Sequence, residues 1–204
     1  MQAVAYSLFP EEKTDIPKAL IYEMAEGKPV CYRGWRQYLL GEKSTEELRG
    51  SSYLQVFVIM KIMKHLLLHL PDSYYVFGNE LGVIHEKGNW RCIDIAVYQR
   101  ESLKDIPLEN KYLTVPPEIA IEIDTKADTE NFITYMDYVH KKTDDLLRFG
   151  VKKVIWIFTS SRKIMTASAD EKWITADWSK PVSVTENMEI RLEEMLKEFE
   201  HGKT

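Results

Sequence analysis

Two rhythms organise the hydrophobic positions of this chain. Through 53–70 apolar residues run almost unbroken, interrupted by Gln55, Lys61, Lys64, His65 and His69. Those polar groups would be costly in a bilayer, so the stretch predicts a buried helix and no membrane span, capped by Ser51 or Ser52 and stopped by Pro71. Short strand patterns follow at 74–77, 81–85 and, more strongly, 90–98, with a turn at 86–89 around Gly88. A polar loop over 99–117 leads to a strand at 118–124. The spacing then predicts a helix over 132–149, ended by Gly150 as a left-handed cap, and a buried strand at 151–158. Strand, helix and strand at this spacing form a βαβ crossover, which implies a parallel pair. A hairpin over 163–168 and 172–176 precedes an amphipathic helix at 190–199, marked by Ile190, Leu192, Met195, Leu196 and Phe199. At the other end, 1–30 reads as an extended lead-in punctuated by Pro10, Pro17 and Pro29, with short helices at 32–40 and 44–49. The class is α/β with a mixed sheet, in one domain spanning 1–204: a lead-in over 1–50 and a motif-bearing core over 74–158.

Composition narrows the function classes. With 204 residues, 45% of them hydrophobic, and only 9 Gly and 8 Pro, the chain is neither disordered nor low-complexity. Acidic residues exceed basic ones by 32 to 27, so the whole molecule is no polybasic nucleic-acid coat, although a local basic face is compatible with it. Two cysteines, Cys31 and Cys92, stand far apart without C-x-x-C spacing, and read as reduced thiols. Residues 1–15 carry Glu11, Glu12 and Asp15 and lack a basic region followed by an apolar one. A soluble, cytoplasmic protein is expected.

Alternation along the strands points to chemistry. In Ile93-Asp94-Ile95-Ala96-Val97 the bulky aliphatics fall on one face, and Cys92, Asp94 and Ala96 on the other. In Ile119-Ala120-Ile121-Glu122-Ile123-Asp124 the isoleucines take one face, leaving Ala120, Glu122 and Asp124 opposite. Small residues beside acids suit a surface that something approaches closely. If the strands are neighbours, Asp94 and Glu122 converge, and an oxygen-only pair suits Mg²⁺ or Mn²⁺. The plainer reading is acids at strand ends paired with surface lysines. On the following helix, Phe132, Tyr135, Met136, Val139, Leu146, Leu147 and Phe149 share one arc, while Asp137, Lys141, Asp144 and Arg148 share the opposite one. Lys142 falls within the apolar arc. It either snorkels outward along its stem or meets an anion at the sheet, and the acidic strand face offers one.

The run from Asp94 to Phe158 resembles the PD-(D/E)XK nuclease superfamily and, more closely, the Uma-two family of restriction-endonuclease-like proteins. An acid after an apolar strand is matched by Ile93-Asp94-Ile95-Ala96-Val97, with Ile93 where the family has proline. The Pro-Pro strand ending in Glu is matched by Pro116-Pro117-Glu118-Ile119-Ala120-Ile121-Glu122. The family's lysine on the next helix, eight residues before Gly-Val, is matched by Lys142 before Gly150-Val151, and Asp124 stands where the superfamily keeps its strand lysine. Lys153-Val154-Ile155-Trp156-Ile157 is similar to the family's last core strand, and Leu54 lies near the place of a frequent histidine.

The resemblance implies a restriction-endonuclease-like core that hydrolyses DNA phosphodiester bonds. Asp94, Glu122 and the Ile123 carbonyl would hold Mg²⁺ or Mn²⁺, and Lys142 would position the attacking water or stabilise developing charge. Asp124 or Glu80 would support a second ion, and the protein would be a homodimer. The alternative is a catalytically inactive nuclease-fold module that binds nucleic acid or protein. His65 and His69 are i, i+4 but lack an H-E-x-x-H pattern. Lys126, Lys141, Lys142, Arg148, Lys152 and Lys153 form a basic cluster interleaved with Asp128, Asp137, Asp144 and Asp145, which reads mostly as a solvated face. Phosphate-loop, dinucleotide and G-x-S-x-G motifs have no match, so NTP hydrolysis, dinucleotide redox and α/β-hydrolase chemistry have no sequence support.

Overall fold

The computed structural model describes residues 16–130 and 132–200, so the first half of the expected lead-in, 1–15, lies outside the described residues. Its second half is not merely extended. β1 (Ile21–Ala25) and β2 (Lys28–Cys31) form a hairpin through Glu26 and Gly27, both left-handed at φ 52° and 70°, the pairing twist that tight hairpins favour. Pro29 did not prevent pairing because β2 is an edge strand. Short helices α1 (Trp35–Leu39) and α2 (Thr45–Arg49) follow, then α3 (Tyr53–His69), whose Ser52 hydroxyl accepts from the Gln55 N–H. Next come β3 (Tyr74–Phe77), β4 (Leu81–Glu86), β5 (Asn89–Ile93), β6 (Ile95–Gln99) and β7 (Ile119–Ile123). Helix α4 (Tyr135–Phe149) begins later than the hydrophobic pattern predicts, because Thr134 and Asp137 close a capping box there. Gly150 ends it in the left-handed conformation at φ 115°. The chain finishes with β8 (Lys153–Phe158), β9 (Lys163–Ser168), β10 (Ile174–Asp177), β11 (Val182–Thr185), β12 (Met188–Ile190) and α5 (Leu192–Glu200). The small β11–β12 hairpin, too short to show a clear alternation, is absent from the sequence expectation.

A six-stranded mixed sheet in the order β10-β9-β8-β7-β6-β3 carries the core, with β7 and β8 parallel across the α4 crossover and every other pair antiparallel. Its aliphatic face (Ile95, Val97, Ile119, Ile121, Ile123, Ile155 and Ile157) packs with α3 and the C-terminal hairpin and helix. Val58, Ile62 and Leu66, one per helical turn of α3, are wholly buried there, each contributing about 1.5–3 kcal/mol. The other face, with Ala96, Ala120 and Trp156, packs with α4 and a second sheet ordered β2-β1-β5-β4. The architecture is thus mixed α/β with helices on both faces. No described helix is long and apolar enough to cross a membrane.

One strand expectation is corrected. The run 90–98 is two strands in two different sheets: β5 pairs with β1 and β4, whereas β6 pairs with β3 and β7. The switch falls at Asp94. It also breaks the alternation, so Ile93 joins the core of the carboxylate face instead of lining up with Ile95 and Val97.

Candidate active site

Asp94 stands at the corner where the chain leaves the small sheet for the large one. The β6–β7 register, Ile95 against Ile121, sets Asp94 opposite Glu122 when extended by one residue. Its Oδ2 accepts from the Ile123 N–H at 2.7 Å. Burial pushes the Asp94 carboxyl up to about 6 from an ordinary 3.8; the Ile123 N–H and Lys142 oppose that rise, and Glu80 adds to it. Glu122 is 1% exposed, and its Oε2 lies 3.0 Å from Lys142 Nζ. Its Oε1 is buried with no hydrogen-bond partner among the described residues. Burial, then the charges of Asp94 and Glu23, lift its pKa well above the carboxylate range against the pull of Lys142.

Lys142 faces the sheet, as its place in the apolar arc predicts, and is fully buried. Nζ donates to the Cys92 carbonyl at 2.7 Å and lies 2.9 Å from Glu23 Oε1 as well as beside Glu122. Burial pulls the pKa of the ammonium down, but Glu122 and Glu23 outweigh it and hold the pKa well above its ordinary value. The rings of Trp156 and Tyr22 stand 5.6 and 5.8 Å from Nζ and complete its enclosure. The helix's buried arc is rotated relative to expectation. Tyr138, Thr143 and Asp145 are inside, while Met136 is exposed, because α4 packs against charged partners on the small sheet as well as apolar ones.

Sequence reasoning missed Glu23, the most heavily bonded carboxylate of the group. From the middle of β1 it reaches Lys142, accepts from Arg91 at 2.8 Å and the Tyr138 hydroxyl at 2.9 Å, and accepts from the Cys92 N–H at 3.0 Å. A single acid inside the apolar run Ile21-Tyr22-Glu23-Met24-Ala25 was the available signal. Arg91 continues to Asp145, whose carboxylate is also held by Lys141 at 2.7 Å and Arg148 at 2.6 Å. Gln55 was missed too. Placed in the first turn of α3, its Nε2 donates to the Ile123 carbonyl at 2.7 Å and fixes that oxygen's direction.

The remaining candidates go elsewhere. Asp124, left-handed at φ 54°, spends its carboxylate on the Thr159 N–H and hydroxyl at 2.8 and 2.6 Å, and Glu80 is ion-paired with Lys126 at 2.6 Å. His65 and His69 pack ring to ring at 4.4 Å and bond backbone carbonyls. The basic cluster is dispersed: Lys142 is internal, Lys141 and Arg148 serve Asp145, Lys152 pairs with Glu118 and Lys153 reaches backbone carbonyls. Cys31 and Cys92 are free and buried.

A divalent cation fits the donors that remain. Glu122 Oε1 is an orphaned buried oxygen, Asp94 lies opposite in the extended register, and the carbonyl of the next residue, Ile123, is held by Gln55. Among the described residues no group of three or more His, Cys, Asp or Glu side chains gathers at one point. A hard ion that keeps several waters needs no such group.

Comparison with a solved structure decides the fold. A crystal structure described as a "putative nuclease belonging to DUF820", from Anabaena variabilis ATCC 29413, superposes with a TM-score of 0.61 over 86% of this chain and 89% of that one, at 13% identity. The fold is nuclease-like. No family model matches the chain, and no curated protein matches it. At this identity the likeness speaks for architecture alone.

Proposed function

We propose that this chain is a Mg²⁺- or Mn²⁺-dependent endonuclease of the Uma-two kind, hydrolysing DNA phosphodiester bonds from a single domain. The observation that carries the reading is the orphaned, buried Glu122 Oε1, set opposite Asp94 and beside a charged, buried Lys142. In this reading Asp94, Glu122 and the Ile123 carbonyl hold the cation, with waters completing its coordination. When bound, the ion supplies Lewis acidity to the scissile phosphate and acidifies an attacking water. Asp94 stays fixed by the Ile123 N–H, and Gln55 keeps the Ile123 carbonyl aimed. Lys142 remains protonated because Glu23 neutralises it from behind. Exchange of its Glu122 contact for a water turns Nζ towards the substrate, where it orients the nucleophile and offsets charge on the phosphoryl oxygens. Homodimerisation comes with the resemblance and is read by light scattering.

A second reading, a non-catalytic nuclease-fold module, draws on closure. Asp94 is 6% exposed, and the three protons of Lys142 all face protein acceptors. A plasmid-nicking assay in Mg²⁺, in Mn²⁺ and in EDTA, on wild type and Glu122→Gln, separates the two. Metal-dependent nicking that disappears in the variant is expected. A folded wild type that never nicks in either metal favours the module.

A further inference from the structure

An open groove of about 830 Å³ lies at the carboxyl ends of the parallel strands β7 and β8, walled on its far side by the segment from Arg33 to Gln55. The nuclease reading given above does not use it. Openings at this end of a parallel pair are where α/β folds receive ligands. Two side chains join the groove to the candidate site: Gln55, which lines it and holds the Ile123 carbonyl, and Lys126, which lines it and pairs with Glu80.

The charge of the groove is one-sided. Arg33, Lys43, Lys126 and Lys163 line it against two acids, Glu47 and Asp124. Both acids are spent locally: Glu47 caps α2 through the Ser44 N–H, and Asp124 holds Thr159. Of the cations, Lys126 pairs with Glu80 and Lys163 with Asp177. The Arg33 guanidinium donates to the Thr125 carbonyl, and neither it nor Lys43 has a carboxylate partner among the described residues. Two exposed cations therefore line the groove without a carboxylate partner among the described residues. Aromatic surface lies beside them in Tyr135, half-buried and backed by the buried Phe158 ring in edge contact at 6.2 Å.

Cations that track a backbone, set beside aromatic rings that accept a base face, are the recognition chemistry of an unpaired strand. A groove of this volume is the size of a small-ligand cleft. It has room for a few nucleotides of one strand. We infer that this groove binds a short run of single-stranded DNA next to the scissile phosphate, so that the chain prefers unpaired DNA to intact duplex. The inference rests on the nuclease reading for its biological sense, but its binding step does not need the metal.

The test is fluorescence anisotropy in EDTA, with a fluorescein-labelled single-stranded dodecamer and its blunt duplex, over a salt series. Wild type is expected to bind the single strand about tenfold more tightly than the duplex. The double variant Arg33→Ser/Lys43→Ser is expected to lower the slope of log K against log salt by about 1.4, two phosphate contacts at about 0.7 each. Lys152→Ser, at the opposite end of β8, should leave the slope unchanged. Equal affinity for the duplex, no binding of either DNA, an unchanged slope in the double variant, or an equal loss in Lys152→Ser would overturn the inference even if plasmid nicking succeeds. Single-strand preference with the expected slope upholds it even if nicking fails.

Discussion

The buried charges of this protein form one chain of contacts with two unlike ends. At the inner end Asp145 is held by Arg91, Lys141 and Arg148, and Glu23 by Arg91, Lys142, Tyr138 and a backbone amide. Every carboxylate there has more donors than it has oxygens. At the outer end Glu122 shares the Lys142 ammonium with Glu23, Asp94 has the Ile123 N–H but no ion pair among the described residues, and Glu122 Oε1 has no hydrogen-bond partner among them. The inner end is built to hold the fold, whereas the outer end is short of positive charge. In a low-dielectric interior that shortage is relieved by a proton or a cation. The raised pKa values of Asp94 and Glu122 are the signature of the first outcome, and the proposed metal is the second.

Breaking the inner end should have the largest effect on stability. Glu23→Ala leaves Arg91 and Lys142 buried beside too few anions, and is expected to lower unfolding free energy by about 3–5 kcal/mol in urea titration. A loss below about 1 kcal/mol would mean the inner network is not a structural anchor.

The outer end should respond in the opposite sense. Asp94 is displaced from 3.8 to about 6 by burial, so its protonated form is favoured by folding. In EDTA the stabilisation is complete below about pH 4 and fades as pH rises through 6, by roughly 3 kcal/mol at most. Asp94→Asn, whose amide oxygen still accepts from Ile123 N–H, should remove the Asp94 share of that decline, leaving that of Glu122, and make the metal-free protein more stable than wild type near neutral pH. Thermal melts across this range check it, and a wild-type profile that rises with pH there contradicts it.

Smaller effects sharpen the contrast. Gln55→Ala removes one buried hydrogen bond to the Ile123 carbonyl and should reduce stability by about 1–2 kcal/mol. Through the freed carbonyl it should weaken Mg²⁺ about tenfold or more; an unchanged metal affinity would detach Gln55 from the site. Lys104→Ala removes an exposed ion pair with Glu101 and should move stability by less than about 1 kcal/mol.

The outer end was legible in the sequence and the inner end was not, for a physical reason. Asp94, Glu122 and Lys142 each break a local period, an acid on a small-residue strand face or a lysine in an apolar arc, and such breaks are visible within one element. Glu23 and Arg91 matter because distant strands β1 and β5 are neighbours, and pairing partners are not written in either strand alone. The mixed sheet and its parallel pair followed from the β7-α4-β8 spacing. The division of 90–98 between two sheets did not, because an acid inside a continuous apolar run leaves the alternation intact on paper. Asp145 was read as solvated from its charged neighbours, yet the same Lys141 and Arg148 are what allow it to be buried.

The most direct measurement is a calorimetric titration of Mg²⁺, near neutral pH, into wild type, Asp94→Asn and Glu122→Gln, each first shown to be folded by circular dichroism. One ion per chain is expected in wild type at millimolar affinity or better, with binding lost in both variants while the fold persists. A folded wild type that gives no heat at millimolar Mg²⁺ or Mn²⁺, or variants that bind as wild type does, would contradict the claim that the uncompensated outer end is a cation site.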